Sequence, residues 1–247
     1  MIEIKRTGKD LPQAYHRALE ALHSWGKITP CSDWGTSQKE ISLTMLVREP
    51  LREPMISKCF IGGPRELEQY RQEMLDGILD FEVERGKWAY TYHQRMADQI
   101  DFVIAELKRN ADSRRAVISI REKEADMGSA DPACLQHIQY FIRGGKLHSK
   151  VLFRSNDACK AAFMNAFALI MLQKRIADAV GCDMGTYTHR ANSFHCYERD
   201  FPLLESYVKR MYSSEPITYG YVGEWDELME EAKPDIAAMV RKLRENK

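Results

Sequence analysis

Residues 135–157 read LQHIQYFIRGGKLHSKVLFRSND, and the architecture of the chain can be worked out from this stretch. Apolar and polar side chains alternate on both sides of Gly144-Gly145, with the period of two that is typical of β-strands. Two glycines between such runs favour a tight turn, because glycine adopts a positive φ without steric cost. We therefore predict an antiparallel hairpin, with strands over residues 135–142 and 147–153.

Helical periodicity and further strand-like stretches surround this hairpin. Apolar residues recur every three to four positions in the predicted helices and alternate with polar residues in the predicted strands. A sheet in the middle of the chain with flanking helices indicates the α+β class, here one domain over residues 1–247 with a central mixed or antiparallel β-sheet. The predicted helices are residues 11–25, 64–75, 96–107, 158–180 and 224–247, and the further predicted strands are residues 41–47, 116–120 and 186–197.

The composition is that of an ordinary globular protein. The 247 residues include 36 Lys plus Arg and 36 Asp plus Glu, so the formal net charge is zero. Balanced charge does not favour a polybasic nucleic-acid surface, and no apolar run approaches the ~20 residues of a membrane span. The six cysteines lack paired spacing, which favours neither a disulfide framework nor a zinc site. We predict a soluble cytoplasmic protein without a metal, membrane or nucleic-acid partner.

Cys134 lies just before the first strand of the hairpin, and Arg154 lies at the end of the second. Similar numbers of residues separate each of them from the glycine turn, so the two side chains could meet across the hairpin. A nearby cation lowers the pKa of a thiol and favours the nucleophilic thiolate. A lone cysteine is more often a small buried hydrophobe. Cys134 is therefore either a nucleophile assisted by Arg154 or a core residue.

Arg114-Arg115 and Arg154-Ser155 indicate a site for an oxyanion. The planar guanidinium suits a phosphate, and a serine hydroxyl can complete the shell around it. Adjacent residues of a strand point to opposite faces. Arg114 and Arg115 could thus reach one phosphate only if the backbone bends or if another subunit presents them. The alternative interpretation is that these arginines are solvated or paired with carboxylates.

Several further polar residues allow two interpretations each. Asn165 lies within the apolar helix, where its amide either makes a structural hydrogen bond or reads the carbonyl and ring N–H of a pyrimidine. Asp157 either caps the helix that follows it or binds a second heterocycle. Glu66 is solvated unless it faces the pocket. His195 and Tyr197 share one face of a strand, where they are either structural or placed to hydrogen-bond sugar hydroxyls.

Five short blocks of this sequence resemble the thymidylate synthase family in order and spacing. The shorter archaeal-type branch is most similar, through Tyr90-Thr91-Tyr92-His93 and Ala161-Ala162-Phe163-Met164-Asn165. The resemblance extends from about Glu66 to Phe201. The five blocks are Asp112-Ser113-Arg114-Arg115, Pro132-Ala133-Cys134-Leu135-Gln136, Arg154-Ser155-Asn156-Asp157, Phe163-Met164-Asn165 and His195-Cys196-Tyr197.

The resemblance implies a thymidylate synthase-like fold and the methylation of dUMP to dTMP, with 5,10-methylenetetrahydrofolate or a modified pterin analogue as donor of carbon and hydride. It implies that Cys134 adds to C6 of dUMP. Arg114 and Arg115 would come from the neighbouring subunit of an obligate homodimer. The other implied roles are thiolate support and phosphate binding by Arg154 with Ser155, uracil selection by Asn165, deoxyribose contacts by His195 and Tyr197, a folate contact by Asp157, proton transfer by Glu66, and a contact near the C5 proton by Tyr90 or Tyr92.

The chain departs from the family at three places. Ala133 and Leu135 replace the usual proline and histidine beside the cysteine, although archaeal-type members also have leucine there. No arginine matches the family's N-terminal phosphate ligand near Asp33-Trp34-Gly35-Thr36, and the terminal Arg244-Glu245-Asn246-Lys247 is unlike the family's short apolar tail.

Two other functions stay open at this point. A pyrimidine nucleotide hydroxymethylase acting on dUMP or dCMP would share the fold, the cysteine and the folate. The dCMP enzymes of that kind carry aspartate where Asn165 stands, so Asn165 favours uracil. A nucleotide-binding protein without turnover would use the arginines and Asn165 but form no covalent bond.

Overall fold

The predicted hairpin lies within the sheet of the computed structural model, which describes residues 1–245. Residues 135–143 pair antiparallel with residues from Lys146 onward, and Leu135 lies opposite Phe153. Gly144 and Gly145 make the turn with φ of 58° and 73°. Both values fall in the left-handed region that glycine adopts readily. The hairpin prediction is confirmed.

The structure contains additional strands, near both ends of the chain, that the sequence analysis did not predict. Two at the N-terminus, over residues 3–8 and 27–31, were not indicated by the pattern of alternation. The strands that the structure describes are β1 (Glu3–Gly8), β2 (Lys27–Cys31), β3 (Thr36–Val47), β4 (Ile56–Ser57), β5 (Val117–Ser119), β6 (Leu135–Arg143), β7 (Lys146–Asp157), β8 (Asp183–Tyr197) and β9 (Thr218–Tyr219).

Within residues 1–245, seven of these strands form one sheet, in the order β1-β3-β8-β7-β6-β5 with β2 paired to the start of β3. β1 runs parallel to β3 and β7 runs parallel to β8, while the other pairs are antiparallel. The sheet is therefore mixed. β4 and β9 form a separate antiparallel pair.

Helices flank this sheet, as the periodicity predicts. None of the described helices is long and apolar enough to cross a membrane. The last helix ends at Glu245, so Asn246 and Lys247, which the predicted helix included, lie outside the described residues. The helices are α1 (Leu11–Trp25), α2 (Pro64–Asp76), α3 (Phe81–Glu84), α4 (Tyr92–Arg109), α5 (Lys123–Asp126), α6 (Ala162–Val180), α7 (Phe201–Met211) and α8 (Asp226–Glu245).

Helix α6 is the most deeply buried of these and carries Asn165. Phe163 and Phe167 on α6 are almost entirely buried, and the ring of Phe163 packs 5.4 Å from that of Tyr15 on α1. The hydroxyl of Tyr15 donates a hydrogen bond to the carbonyl of Ala158, at 2.8 Å. These contacts fix the first turn of α6 at the end of β7.

The start of α6 differs from the prediction. The helix begins at Ala162 and not at residue 158. The carboxylate of Asp157 accepts hydrogen bonds from the backbone N–H groups of Cys159 and Lys160, at 2.9 and 3.0 Å. An aspartate that binds its own following amides in this way favours a turn over a regular helix.

Arg114 and Arg115 do not lie on a strand, which corrects the expectation that they alternate along one. The strand covers Val117–Ser119, and the two arginines precede it on irregular backbone. The hydroxyl of Ser113 accepts a hydrogen bond from the N–H of Arg115 at 3.0 Å, which bends the chain there. The expectation that the two side chains alternate across the sheet is therefore wrong.

Candidate active site

Arg154 holds the segment that leads into Cys134. The backbone N–H of Arg154 donates to the carbonyl of Cys134 at 2.8 Å. Its guanidinium donates to the carbonyl of Ala133 from Nε at 3.1 Å and to that of Pro132 from Nη2 at 2.6 Å. Charge-assisted hydrogen bonds of this kind are the stronger ones. The guanidinium therefore fixes the position from which the Cys134 side chain projects.

The Cys134 thiol experiences opposing electrostatic effects. Burial raises the pKa of this thiol, the positive charge of Arg154 lowers it, and the negative charge of Asp131 raises it. The net direction is upward, since removal from water disfavours a thiolate. Arg154 is thus the group that offsets part of the effect of burial. The side chain is partly exposed, so an incoming ligand could reach the sulfur.

Three tyrosines surround this thiol. Burial raises the pKa values of Tyr70, Tyr90 and Tyr92, and negative charge on Cys134 adds to the rise in each. The hydroxyl of Tyr92 accepts a hydrogen bond from the N–H of Leu135 at 3.3 Å. The guanidinium of Arg95 lies 4.2 Å from the ring centre of Tyr90. All three phenols keep their protons near neutral pH and can donate hydrogen bonds.

A cavity of about 600 Å³ opens beside these rings. Tyr70, Tyr90, Tyr92 and Trp88 form aromatic walls, and Glu73 contributes a carboxyl group. Burial raises the pKa of Glu73, although a hydrogen bond from the amide of Gln69 opposes the rise. Flat aromatic walls with a few polar groups suit a planar heterocycle. Within the described chain, no group of three or more His, Cys, Asp or Glu side chains is arranged to hold a metal ion.

Glu66 does not face this cavity, which corrects the position expected for it. Its carboxylate accepts a hydrogen bond from the N–H of Gly63 at 2.9 Å and lies 3.9 Å from Arg65. The side chain is 55% exposed at the first turn of α2. Glu66 therefore caps the helix. The glutamate on α2 that lines the cavity is Glu73, two turns further along.

Ser155, Asp157 and His195 meet where β7 and β8 run parallel. Asp157 lies opposite His195 in the register, and Oγ of Ser155 lies 3.4 Å from Nδ1 of His195. The ring of Tyr197 meets that of His195 edge-on, with centroids 4.8 Å apart. Burial lowers the pKa of His195, so the ring is neutral at pH 7.

Two atoms in this group remain available to a ligand. Nε2 of His195 is buried and has no hydrogen-bond partner among the described residues. A buried polar atom without a partner is rare, because no hydrogen bond offsets the free-energy cost of its desolvation. The turn before α6 uses Oδ1 of Asp157, and Oδ2 makes no hydrogen bond within residues 1–245. Asp157 therefore does not cap α6, whose N-cap is Ala161, and the turn that it stabilises leaves one carboxylate oxygen unused.

Asn165 lies on the first turn of α6, buried to 5% exposure. The hydroxyl of Tyr70 on α2 donates a hydrogen bond to its Oδ1. Tyr70 and Glu73 were not among the site residues expected from the sequence. Tyr70 recurs with Leu67 and Met74 on the apolar face of α2, and periodicity alone favours a core residue there, although a tyrosine on such a face carries a hydroxyl that needs a partner.

The chain's own Arg114 and Arg115 do not reach Cys134. The carbonyl of Arg114 accepts a hydrogen bond from Gln139 at 3.0 Å, five residues along β6 from Cys134. At about 3.3 Å per residue this is a separation of roughly 17 Å. Both side chains are exposed, and neither guanidinium makes a hydrogen bond or ion pair in the part of the chain described.

These features define a class: an α+β protein with a mixed central sheet and a cysteine beside an aromatic cavity. The family model described as "Thymidylate synthase" matches residues 65–220. The chain belongs to the thymidylate synthase family.

Relatives agree with this assignment, and a solved structure agrees with the fold. A protein of Methanocaldococcus jannaschii, provisionally named as a thymidylate synthase, is 36% identical over 205 residues, covering 78% of this chain and 91% of the relative. Thymidylate synthase 1 of Bacillus subtilis is 28% identical over 179 residues, covering 72% of this chain and 62% of the relative. The structure of thermostable thymidylate synthase A from Bacillus subtilis superimposes with a TM-score of 0.65 at 17% identity, covering 81% of this chain and 84% of that one. The predicted fold class and family resemblance are both confirmed.

Proposed function

We propose that this protein is a thymidylate synthase that converts dUMP to dTMP. The observation that carries the proposal is the position of Cys134. Arg154 holds the segment that leads into Cys134. The thiol lies beside the aromatic cavity and beside Tyr70, which donates a hydrogen bond to Asn165. A cysteine that activates a pyrimidine for methylation needs a base-reading group on one side and room for a carbon donor on the other. Family membership supports the same reaction.

In this proposal Sγ of Cys134 forms a bond to C6 of dUMP, and C5 becomes nucleophilic toward an electrophilic one-carbon unit. Arg154 favours the thiolate, and its Nη1, which makes no hydrogen bond within the described residues, binds the phosphate together with Ser155. His195 and Tyr197 hold the deoxyribose, with Nε2 of His195 as the free ring nitrogen.

The cavity fits 5,10-methylenetetrahydrofolate or a modified pterin analogue. The co-substrate supplies the one-carbon unit and the hydride when it is bound. The walls formed by Trp88, Tyr90 and Tyr92 can stack on a bicyclic ring, and Oδ2 of Asp157 can accept a hydrogen bond from a ring N–H. We assign to Glu73 the proton transfer that the resemblance gave to Glu66, because its raised pKa favours a carboxyl group that can carry a proton.

The test of the function is the identity of the product. The purified protein is incubated with dUMP and methylenetetrahydrofolate, and the nucleotide is identified by mass. We expect dTMP together with dihydrofolate. A hydroxymethyl nucleotide formed without oxidation of the folate would contradict the proposal and indicate the hydroxymethylase. Saturable dUMP binding without any product, including with a modified pterin donor, would indicate a binding protein.

We further propose that the site is completed by a second copy of this chain. Arg114 and Arg115 are exposed, and their guanidiniums make no hydrogen bond or ion pair within residues 1–245; they lie beside the middle of β6, at Gln139. Two such guanidiniums on a bent segment can bind a phosphate in the site of another subunit. The resemblance to the family implies this role. The protein would then be an obligate homodimer.

Mixing two inactive variants is expected to restore activity if this is correct. One variant is Cys134→Ser, and the other carries Arg114→Ala and Arg115→Ala. A mixed dimer contains one site with neither defect, so dissociation and reassociation of equal amounts should recover up to about one quarter of the wild-type rate, since half of the dimers are mixed and each has one intact site. The measurement is dTMP formation before and after mixing.

The matched control is a mixture of Cys134→Ser with Arg154→Gln, whose defects lie in the same subunit's site by this proposal. In the mixed dimer one site lacks Cys134 and the other site lacks Arg154, so neither site is intact. No recovery is therefore expected for the control. Absence of recovery in the arginine mixture as well would show that Arg114 and Arg115 serve their own subunit or no site.

A further inference from the structure

We infer that Tyr70 determines the base specificity of this site by holding the amide of Asn165 in one orientation. The inference rests on the proposed function and deepens it, since it concerns how the site separates uracil from cytosine. Tyr70 acts through Asn165 and is a positioning residue. The observation that carries it is the hydrogen bond from the Tyr70 hydroxyl to Oδ1 of Asn165.

An asparagine that is free to rotate reads uracil and cytosine about equally well. Its amide offers one acceptor oxygen and one donor nitrogen, and a half-turn about the last side-chain bond exchanges them. Uracil presents an N3–H donor and an O4 acceptor, whereas cytosine presents an N3 acceptor and an N4 donor. Each base therefore matches one of the two orientations. Discrimination requires a neighbour that makes one orientation costly.

Tyr70 is such a neighbour because its proton has one place to go. Burial raises the pKa of Tyr70 strongly, so the hydroxyl keeps its proton near neutral pH. The hydroxyl makes no other hydrogen bond within the described residues, and its acceptor is Oδ1 of Asn165. A flipped amide would turn its own N–H groups toward that hydroxyl and leave the hydroxyl proton buried without an acceptor.

The two side chains cannot easily move apart to relieve that conflict. Tyr70 projects from α2 between Leu67 and Met74, which are both buried to 2% exposure or less. Asn165 projects from the first turn of α6, where its N–H donates to the carbonyl of Ala161 at 2.9 Å. The amide is therefore held between two packed helices, and the helices do not shift to reduce the free-energy cost of a flip.

The test is the substitution Tyr70→Phe, which removes the hydroxyl and keeps the ring. We expect the preference for dUMP over dCMP to fall by roughly tenfold or more, because one buried unsatisfied hydrogen-bonding group is worth about that factor. The ratio is measured twice in the dimeric protein, from kcat/KM and from equilibrium dissociation constants of the two nucleotides. The loss should appear mainly as tighter dCMP binding and weaker dUMP binding, with a smaller change in kcat for dUMP.

The matched control is Tyr140→Phe. The hydroxyl of Tyr140 on β6 is also buried, but it has no hydrogen-bond partner among the described residues. Its removal takes the same atom from another buried phenol and should leave the ratio unchanged. A ratio that stays at the wild-type value in Tyr70→Phe would overturn the inference while leaving the proposed function intact. Wild-type protein that binds neither nucleotide would overturn both.

A second variant separates orientation from general damage. In Asn165→Asp the side chain ends in two like oxygens, so no orientation remains for Tyr70 to select. Adding Tyr70→Phe to Asn165→Asp should therefore change the nucleotide ratio far less than it does in the wild-type background. Equal effects in both backgrounds would show that Tyr70 acts by some route other than the amide, and the inference would be rejected.

Discussion

Cys134→Ser is expected to reduce dTMP formation by roughly 10³-fold or more while dUMP still binds. The serine hydroxyl has almost the same size but is a far weaker nucleophile than a thiolate near neutral pH, so the addition to C6 fails while the contacts to the nucleotide persist. The measurement is the rate of dTMP formation together with a dissociation constant for dUMP. Mass analysis of the denatured wild-type protein should also reveal a nucleotide adduct that the variant lacks.

Cys182→Ser is the matched control for this substitution. Cys182 is also a partly exposed free thiol, but it follows the end of α6, and Asp183 next to it pairs with Lys146 at the far end of β7 from Arg154. Its activity should stay within a factor of about two of wild type, as is usual for a substitution away from the site. Full activity in Cys134→Ser would exclude covalent catalysis by Cys134.

Arg154→Lys is expected to be the second most damaging change, although it conserves charge. A lysine ammonium has no planar fork, so it cannot reach the carbonyls of Pro132 and Ala133 in the geometry that Nε and Nη2 of Arg154 use. Loss of the two charge-assisted hydrogen bonds should lower the free energy of unfolding by about 1–3 kcal/mol. Displacement of Cys134 should lower kcat/KM by roughly 10²-fold.

A pH series on the same position separates charge from geometry. In Arg154→Gln the positive charge is lost, so the pKa of Cys134 rises further and the pH dependence of its alkylation shifts upward. In Arg154→Lys the charge remains and the alkylation profile should move less. Arg143→Lys, at the turn end of the same hairpin, is the control that should change neither stability nor alkylation. Identical profiles in wild type and Arg154→Gln would contradict the electrostatic role.

The parts of the fold that depend on local pattern could be predicted from the sequence. Alternation around Gly144-Gly145 defined the hairpin, and the hairpin placed Cys134 next to Arg154 because register follows from the turn. β1 could not be found in this way. It pairs in parallel with β3, a partner more than thirty residues away, and such non-local pairing leaves little trace in a short stretch of sequence.

The site residues show a similar division. Glu66 was expected in the pocket from the resemblance, but its place at the third position of α2 suits a residue that caps the helix. Helical periodicity places Tyr70 on the buried face of α2, but periodicity reports which face is buried and not what a hydroxyl on that face contacts. The contact with Asn165 joins two helices and so becomes visible only when both are in place.

The hydrogen bond from Tyr15 to Ala158 has a consequence for the order in which the molecule assembles. It joins residues 143 positions apart and ties α1 to the turn that leads into α6, the helix that carries Asn165. Contacts of such long sequence separation form slowly, because the intervening chain must close a large loop first. The pyrimidine-reading end of the site should therefore be among the last regions to become native during refolding. A nucleotide that binds only the finished site would then stabilise the folded state by mass action and slow the loss of α1 from the core.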